Sequence, residues 1–595
     1  MINRHTRQRL RRRIRTRKRQ VVDISGSANK QLDRHVFRRW HNLKDARRFM
    51  VMWLLLVGIL IAGIVMQTRA LGRYYLEPSP VGGGVVSEGI VGTFSNANPI
   101  FTSNAADSSV SRLLFSGLLT YNEQNQLVGD LAASWDVDAK ATTYTVRLKP
   151  NITWHDGKPL TADDVVFTYK TIQNPDAKSP LQISWANIKV EKVSNTVVRF
   201  VLPNAYSPFP HSLVTGIVPE HLLKDIPVAQ LRSAAFNNKD PVGSGPFKWQ
   251  ATTASGDPAQ QTQRQRIQLV RFDDYHGVPA KIDGITISTF QSKDDLSQAF
   301  KDRKVMSAVG FSYEQANQQE NGTVQAYPET ASTMLFFKNS TPFLTDVNVR
   351  RALANATNTP ELVRSLGYPV IPVDSPLLKS QIGYNAAITQ RDFNKAEAAK
   401  LLDAAGWRIP EGKTIRQKDG KELVLKLVSE SNPEFSKLTD LIQKQWEELG
   451  IKADVSLQPA DVIAQSYILA HNYDVLLYGI NIGPDPDVYP YWHSSQADVR
   501  SLGRLNLAEY KSTTADTALE AGRTRLDPTL RAAKYKTFLE VWRNDSPAVG
   551  LYQPNLFVVT NQKIYGMNQK TINNPSDRYN NVVNWMINTE RTIKN

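Results

Sequence analysis

The chain has 595 residues, of which 41% are hydrophobic and 22% are charged, and it contains no cysteine. This composition is that of folded globular domains and excludes a largely disordered or collagen-like chain. The lack of cysteine excludes disulfides, iron–sulfur clusters, thiolate nucleophiles and membrane attachment through a lipid-modified cysteine.

The positive charge is concentrated near the amino terminus. Residues 1–48 contain 17 Lys/Arg and three Asp, a net charge of +14, whereas the whole chain carries +16. The body is therefore nearly neutral, and its charge gives no reason to expect nucleic acid as a partner. For the tail we favour a topology signal and attraction to anionic lipid over RNA binding, because no RNA-reading module accompanies it.

A long uncharged run follows the basic segment. Residues 49–68 read FMVMWLLLVGILIAGIVMQT, and a helix of this length crosses the roughly 30 Å hydrocarbon core of a bilayer at about 1.5 Å per residue. The run therefore predicts one transmembrane anchor in the cell membrane. By the positive-inside rule, residues 1–48 are expected to form a cytoplasmic tail and the body is expected to be extracytoplasmic.

A cleaved signal peptide is the alternative interpretation of this run, with Ala70 at the end of a loose cleavage site. Signal peptides have an apolar core of about 7–15 residues behind a short basic region, and both parts are longer here. We therefore expect the anchor to stay uncleaved. Pro78, Pro80 and the glycines at 82–84 are typical of a linker, so residues 69–92 are predicted to connect the anchor to the body.

Beyond residue 92, patterns typical of strands and helices alternate. Asn432 and Pro433 are expected to begin a helix that ends at Gly450, and an alternating strand follows at 451–457. Together with a helix at 394–405 and strands at 423–428 and 473–478, this predicts an α/β lobe over residues 394–480.

A second group of elements lies nearer the amino terminus. Tyr144, Val146 and Leu148 alternate with polar residues and predict a half-buried strand. Asp156 and the following glycine are typical of a tight turn. Thr161 is then expected to cap a helix, because two aspartates follow it in the first turn.

These segments resemble a known family, the extracytoplasmic solute-binding proteins of ABC importers, family 5, which includes oligopeptide-, dipeptide- and nickel-binding proteins. The first matching stretch contains LAASW, TYTVRL, WHDG and TADDV, and the others read DPVGSGPFK, NSTPFLTDVNVRRALA and DFNKAEAAKLLDAAGW. Four matches in the family's order identify the chain as a member. The stretches are Leu127–Ile172, Asp240–Lys248, Asn339–Ala354 and Asp392–Trp407.

The resemblance implies a two-lobed α/β fold of the type II periplasmic-binding-protein kind, with an extra subdomain and one amino-terminal transmembrane helix before it. The lobes are joined by a hinge and close over one ligand. The family's organisation places lobe I and its subdomain at 93–337, lobe II at 338–550, and a return to lobe I at 551–595.

The resemblance also implies the function. We expect a membrane-anchored protein that captures peptides or a similar small solute and delivers them to the permease subunits of an ABC transporter, with no cofactor. The alternative is a ligand sensor on the same fold, which signals rather than delivers.

An enzyme is not expected. The Gly243-Ser244-Gly245 segment lacks the nucleophile-elbow pattern and runs into Pro246. No phosphate-binding loop of the Walker type occurs, so the chain is not the ATPase of its transporter. The nine histidines are scattered without a metal-binding spacing, so no metal site is predicted.

The position of a ligand-pairing acid departs from the family. Peptide-binding members have an Asp that pairs with the ligand's amino terminus, and the matching residue here is Ile482. Asn481 and Asp485 are the candidates to replace it. The alternative is that Asp485 serves a turn beside the neighbouring prolines, bonding local backbone.

Three aromatic residues complete the predicted ligand site. Phe101, Trp185 and Tyr478 are candidates to line the cleft, although aromatic side chains also belong to protein cores. The ligand backbone is expected to supply most hydrogen bonds, with side chains in permissive pockets.

Overall fold

The computed structural model describes residues 47–256, 264–501 and 504–593. The chain divides into two compact units, one of residues 1–79 with 589–595 and one of residues 80–588. Most of the predicted cytoplasmic tail, residues 1–46, lies outside the described residues.

The first unit contains the predicted anchor. Helix α1, Arg47–Tyr75, is followed by strand β1, Leu76–Val81, which pairs with strand β23, Asn588–Ile593. Within α1, Phe49–Arg69 is long and apolar enough to cross a membrane, and none of it is buried. The helix covers the predicted span of 49–68 and extends beyond it at both ends.

The second unit contains the remaining helices and strands. Its strands are β2 Val85–Val91, β3 Leu119–Tyr121, β4 Leu127–Gly129, β5 Ala132–Val137, β6 Thr143–Leu148, β7 Lys189–Ser194, β8 Val197–Val201, β9 Phe247–Ser255, β10 Arg264–Arg271, β11 Gly284–Phe290, β12 Ser307–Val309, β13 Thr323–Pro328, β14 Ala331–Phe337, β15 Ile371–Pro372, β16 Gln417–Lys418, β17 Lys421–Glu422, β18 Val424–Glu430, β19 Lys452–Gln458, β20 Val475–Asn481, β21 Ala548–Gln553 and β22 Asn555–Thr560. Its helices are α2 Ala105–Leu114, α3 Ala162–Gln173, α4 Gln182–Trp185, α5 Glu220–Leu223, α6 Val228–Leu231, α7 Lys293–Lys301, α8 Tyr313–Asn317, α9 Val347–Ala356, α10 Thr359–Ser365, α11 Lys395–Ala404, α12 Pro433–Glu447, α13 Ala460–Val462, α14 Tyr489–Trp492, α15 Thr513–Arg523 and α16 Pro528–Asp545.

Lobe I is built on a seven-stranded sheet in the order β13-β22-β12-β2-β11-β10-β9. A four-stranded sheet, β5-β6-β8-β7, forms the extra subdomain, and it shares one hydrophobic core with the large sheet. Tyr144 and Val146 of β6 are both fully buried in that core, as their alternation predicted.

Lobe II is built on a six-stranded sheet in the order β15-β21-β14-β20-β18-β19. All seven residues of β14 are buried, because helices cover both faces. Leu335 and Phe337 pack in the core that contains α9 and α12, and Met334 and Phe336 pack in the core that contains α15 and α16. The predicted α/β lobe is confirmed.

The chain crosses between the lobes twice, and the two crossings lie side by side. The first is Glu329–Thr330, between β13 and β14, and the second is Pro554, between β21 and β22. The Glu329 N–H donates to the Pro554 carbonyl at 2.9 Å, and Gln553 Nε2 donates to the Glu329 carbonyl at 2.8 Å. The boundaries predicted at 337/338 and 550/551 therefore fall inside the second lobe, because β14 and β21 both belong to its sheet.

The predicted linker at 69–92 is also too long. Residues 85–91 form β2, which lies inside the large sheet and pairs in parallel with β11 and β12. Its inward residues are Val86, Ile90 and a buried acid, Glu88. Because of this acid and the neighbouring glycines, the sequence pattern did not predict a core strand here.

Candidate ligand-binding site

A cavity with a volume of about 530 Å³ lies in lobe I. Its wall combines the start of α2 with the turn at Pro575–Tyr579, and the two elements pack against each other. The wall combines hydroxyl, amide and charged groups with apolar side chains, among them Pro99 and Val214. It includes Ser103, Asn104, Ser108, Arg112, Phe115, Tyr121, Leu181 and Asp577.

Local hydrogen bonds fix the start of α2 at the cavity. Asn104 caps the helix, since its Oδ1 accepts from the Asp107 N–H at 2.9 Å. The buried Asp107 carboxylate accepts in turn from the Ser95 and Asn96 N–H groups at 2.8 and 3.0 Å. The loop at Ser95 and Asn96 is therefore hydrogen-bonded to α2, and α2 forms part of the cavity wall.

A buried ion pair holds the opposite wall. Arg578 Nη2 lies 2.5 Å from Glu88 Oε1, and both side chains are 1% exposed. Tyr579 donates to the same carboxylate. Asp577 accepts from the Asn573 N–H at 3.0 Å, and burial raises its pKa. Strand β2 thus anchors a turn that lies almost 490 residues further along the chain.

The cavity adjoins a contact between the lobes. Tyr121, in its wall, has its hydroxyl 2.9 Å from His211 Nδ1. The other ring nitrogen of His211 lies 3.8 Å from Asp485 Oδ2 of lobe II. Burial lowers the pKa of His211, while the neighbouring Asp485 opposes the shift. The imidazole is therefore neutral in this closed arrangement near pH 7.

A second contact between the lobes lies close by. Arg523 of lobe II pairs with Asp487 at 2.9 Å and lies over the rings of Tyr489, 4.0 Å away, and Tyr206 of lobe I, 5.0 Å away. The Ser207 N–H also donates to the Arg523 carbonyl at 2.9 Å. A cation between two aromatic rings stabilises the closed arrangement.

The structure places two of the sequence-predicted aromatic residues in the lobe I core. Phe101 is 1% exposed and Trp185 is 2% exposed, with Trp185 stacked on Tyr169 at 4.0 Å. Their side chains fill the core, as the alternative interpretation held. Leu181, four residues before Trp185, lines the cavity.

The three predicted residues of lobe II have different surroundings. Tyr478 is half-buried in β20. Asn481 is exposed, and its Nδ2 donates to the Asn573 carbonyl at 3.2 Å, which bridges the lobes beside the cavity. Asp485 accepts from Arg531 through both oxygens, at 2.9 and 2.7 Å, so its charge is paired. Ile482 is buried in the lobe II core.

Sequence reasoning missed four residues: His211 and Arg523, which contact the opposite lobe, Tyr121, which bonds His211 within lobe I, and Arg531, which pairs with Asp485 within lobe II. None of them lies in a recognisable motif, and each partner is distant in the sequence. Among the described residues, no group of three or more His, Asp and Glu is placed to hold a metal ion.

Two hinged lobes with a cavity of mixed polar and apolar lining beside their contact are typical of a solute-binding protein. Residues 126–501, more than half of the chain, match the family of bacterial extracellular solute-binding proteins, family 5 Middle. The chain belongs to this family, as its motifs predicted.

Curated and solved relatives agree with this assignment. The oligopeptide-binding protein AppA of Bacillus subtilis is 25% identical over 498 residues, which cover 82% of this chain and 89% of AppA. The ABC transporter substrate binding protein CtaP of Listeria monocytogenes is similar in structure, with a TM-score of 0.72 and 23% identity over 85% of this chain and all of CtaP. NikZ of Campylobacter jejuni in complex with Ni(L-His) has a TM-score of 0.69 and 24% identity over 84% of this chain and 99% of NikZ. These structural likenesses show the shared fold.

Proposed function

We propose that this protein binds a peptide or similar small solute outside the cytoplasm and delivers it to the permease of an ABC transporter. The observation that carries the proposal is the 530 Å³ cavity beside the contact between two hinged lobes. The similarity to an oligopeptide-binding protein over 82% of the chain supports a peptide ligand.

Closure over the ligand follows from the contacts between the lobes. The cavity belongs to lobe I, while Asp485 and Arg523 of lobe II contact His211 and Tyr206 of lobe I. A ligand that touches both lobes binds the closed arrangement more tightly and shifts the population towards it. Asn481 remains our candidate for a lobe II ligand contact, with Tyr478 beside it.

We propose binding without catalysis. The serine hydroxyls of the cavity wall, at Ser103, Ser108 and Ser111, belong to a polar lining. The nearest histidine, His211, directs Nδ1 to Tyr121 rather than to one of these hydroxyls. Hydroxyls with no activating base suit hydrogen bonding to a solute.

The anchored topology is part of the proposal. An exposed apolar helix at Phe49–Arg69, preceded by a tail of net charge +14, supports a single crossing with the amino terminus in the cytoplasm. The binding domain then stays tethered to the membrane that holds the permease.

The test uses the full-length protein in detergent micelles. Native mass spectrometry should detect co-purified peptide, and calorimetry should give saturable binding of peptides recovered from it. Ser108→Trp fills the cavity and should abolish binding, whereas Thr514→Trp, on the exposed face of α15, should leave it unchanged. Binding that survives Ser108→Trp, or a protein that retains no solute, would refute the assignment of this cavity.

A further inference from the structure

A second, smaller cavity lies next to the first in lobe I. Its volume is about 220 Å³, the room of roughly seven water molecules at about 30 Å³ each. Arg112 and Phe115 contribute to the walls of both cavities. The two cavities therefore share these two residues in their walls.

The wall of the second cavity carries more positive than negative charge. Its charged residues are Arg112, Lys149 and Asp130. The Asp130 carboxylate is already engaged, because His276 Nε2 lies 2.7 Å from Oδ1 and the Tyr275 hydroxyl lies 3.4 Å from it. The acid is therefore partnered within the protein.

Neither cation forms an ion pair with a described acid, although the charge of Arg112 opposes the rise in the pKa of Asp577 that burial causes. Arg112 donates to neutral groups, namely Asn580 Oδ1 at 3.0 and 2.6 Å and the Thr120 hydroxyl. Within residues 47–256, 264–501 and 504–593, no carboxylate lies within ion-pair distance of Arg112 or Lys149. Asp577, in the wall of the larger cavity, is hydrogen-bonded to backbone N–H groups instead.

Two half-buried cations beside one cavity favour an anionic guest. A carboxylate takes charge-assisted hydrogen bonds from arginine and lysine, and these are stronger than bonds between neutral groups. Lys149 follows strand β6, and its backbone N–H donates to Leu131 at 2.9 Å, so its position is held by the sheet of the subdomain.

We propose that the second cavity is a carboxylate-binding subsite, in which Arg112 and Lys149 receive an acidic side chain or the free carboxyl terminus of the ligand. This inference rests on the proposed function, in which a peptide occupies the larger cavity. It assigns to this protein a preference for acidic ligands.

Three pentapeptides test the preference by calorimetry on the full-length protein in micelles. They are Ala-Ala-Gln-Ala-Ala amide, Ala-Ala-Glu-Ala-Ala amide, and Ala-Ala-Gln-Ala-Ala with a free carboxyl terminus. The second or third should bind about tenfold more tightly than the first. Preference for the second identifies a side chain as the source of the carboxylate, and preference for the third identifies the terminus.

Matched variants assign the preference to the cavity. Lys149→Met should reduce it to within about threefold, whereas Lys149→Arg should keep it. Lys170→Met removes an exposed lysine of the same lobe and should change nothing. Equal binding of the three peptides, a preference that survives Lys149→Met, or its loss in Lys149→Arg would overturn the subsite alone. No binding of any of the three would overturn the subsite, and binding of peptides recovered from the protein would show that the proposed function stands without it.

Discussion

Arg531 donates two hydrogen bonds to the Asp485 carboxylate, at 2.9 and 2.7 Å, and the two side chains are 6% and 11% exposed. The acid that follows the family's ligand-pairing position is thus neutralised inside lobe II. The residue that the family resemblance matches to the pairing position is Ile482, which is buried.

Recognition of a peptide should therefore not depend on a free amino terminus. A pentapeptide and its N-acetylated form should bind within about fivefold of each other, or about 1 kcal/mol, because no free carboxylate meets the amine. Calorimetry with both forms measures the difference. A tenfold preference for the free amine that disappears in Asp485→Asn would show that Asp485 pairs with the ligand instead.

Loss of one member of this buried pair should destabilise the protein strongly. Asp485→Asn leaves the Arg531 guanidinium without its counter-charge, and we expect the free energy of unfolding to fall by about 3 kcal/mol. Denaturant unfolding of the full-length protein measures it. The control is Asp498→Asn, which breaks the exposed pair with Arg500 and should leave stability almost unchanged. Equal effects of the two substitutions would contradict the buried pair.

Acid should weaken closure through His211. Burial lowers the pKa of this imidazole in the closed arrangement, so the closed protein binds a proton less readily than an open one that exposes the ring. Closure is therefore fully favoured above the ordinary pKa of 6.5 and weakens as the pH falls below it. Peptide affinity measured at pH 7.5 and 5.5 tests this prediction, because affinity should be lower at pH 5.5. The His211→Gln substitution should reduce that difference in affinity. An unchanged pH profile in the variant would contradict it.

The crossing residue Glu329 should give a pH dependence of opposite sign. Burial alone raises the pKa of this carboxyl from 4.5 to about 7. The folded protein therefore favours the protonated carboxyl. The loss of stability from burying the ionised carboxylate is absent below pH 4.5 and complete above about pH 7.

Glu329→Gln should accordingly stabilise the protein by about 1–2 kcal/mol at pH 8 and by nothing near pH 4.5. Thermal unfolding at the two pH values measures the gain. Glu314→Gln, which changes an exposed acid in the first turn of α8, is the matched control. A gain at pH 4.5 as large as at pH 8 would rule out the titration of Glu329.

The topology is testable in spheroplasts. Protease added from outside should remove the body and leave a small fragment that contains the tail and α1, because the tail is expected in the cytoplasm. Permeabilised spheroplasts are the control, in which the tail should be cut as well. A fully protected body would reverse the orientation, and a mature protein that begins at Leu71 would remove the anchor.

Local chemistry made much of the fold predictable. Thr161 caps α3 and forms a capping box with Asp164, and Asn432 caps α12 with Pro433 in its first turn. Gly450 ends that helix with φ +76°. These features depend on neighbouring residues, so the sequence alone was sufficient.

The lobe boundaries and much of the site depend on contacts between distant residues. Arg531 lies 46 positions from Asp485, and His211 of lobe I approaches the same acid across the contact between the lobes. Trp185 is an aromatic residue near a cavity-lining position, yet its ring packs on Tyr169 in the core. Composition does not distinguish these outcomes, because packing partners decide them.

The two crossings have a consequence for the order in which the chain assembles. Every strand of the lobe II sheet lies between Ala331 and Gln553, so this lobe is complete within one continuous stretch. The large sheet of lobe I requires β22, which inserts between β13 and β12. During synthesis from the amino terminus, lobe II can therefore fold while the sheet of lobe I still lacks β22. The last forty or so residues supply this strand and complete lobe I. Truncation before β22 would therefore remove an interior strand of the large sheet and separate β13 from β12.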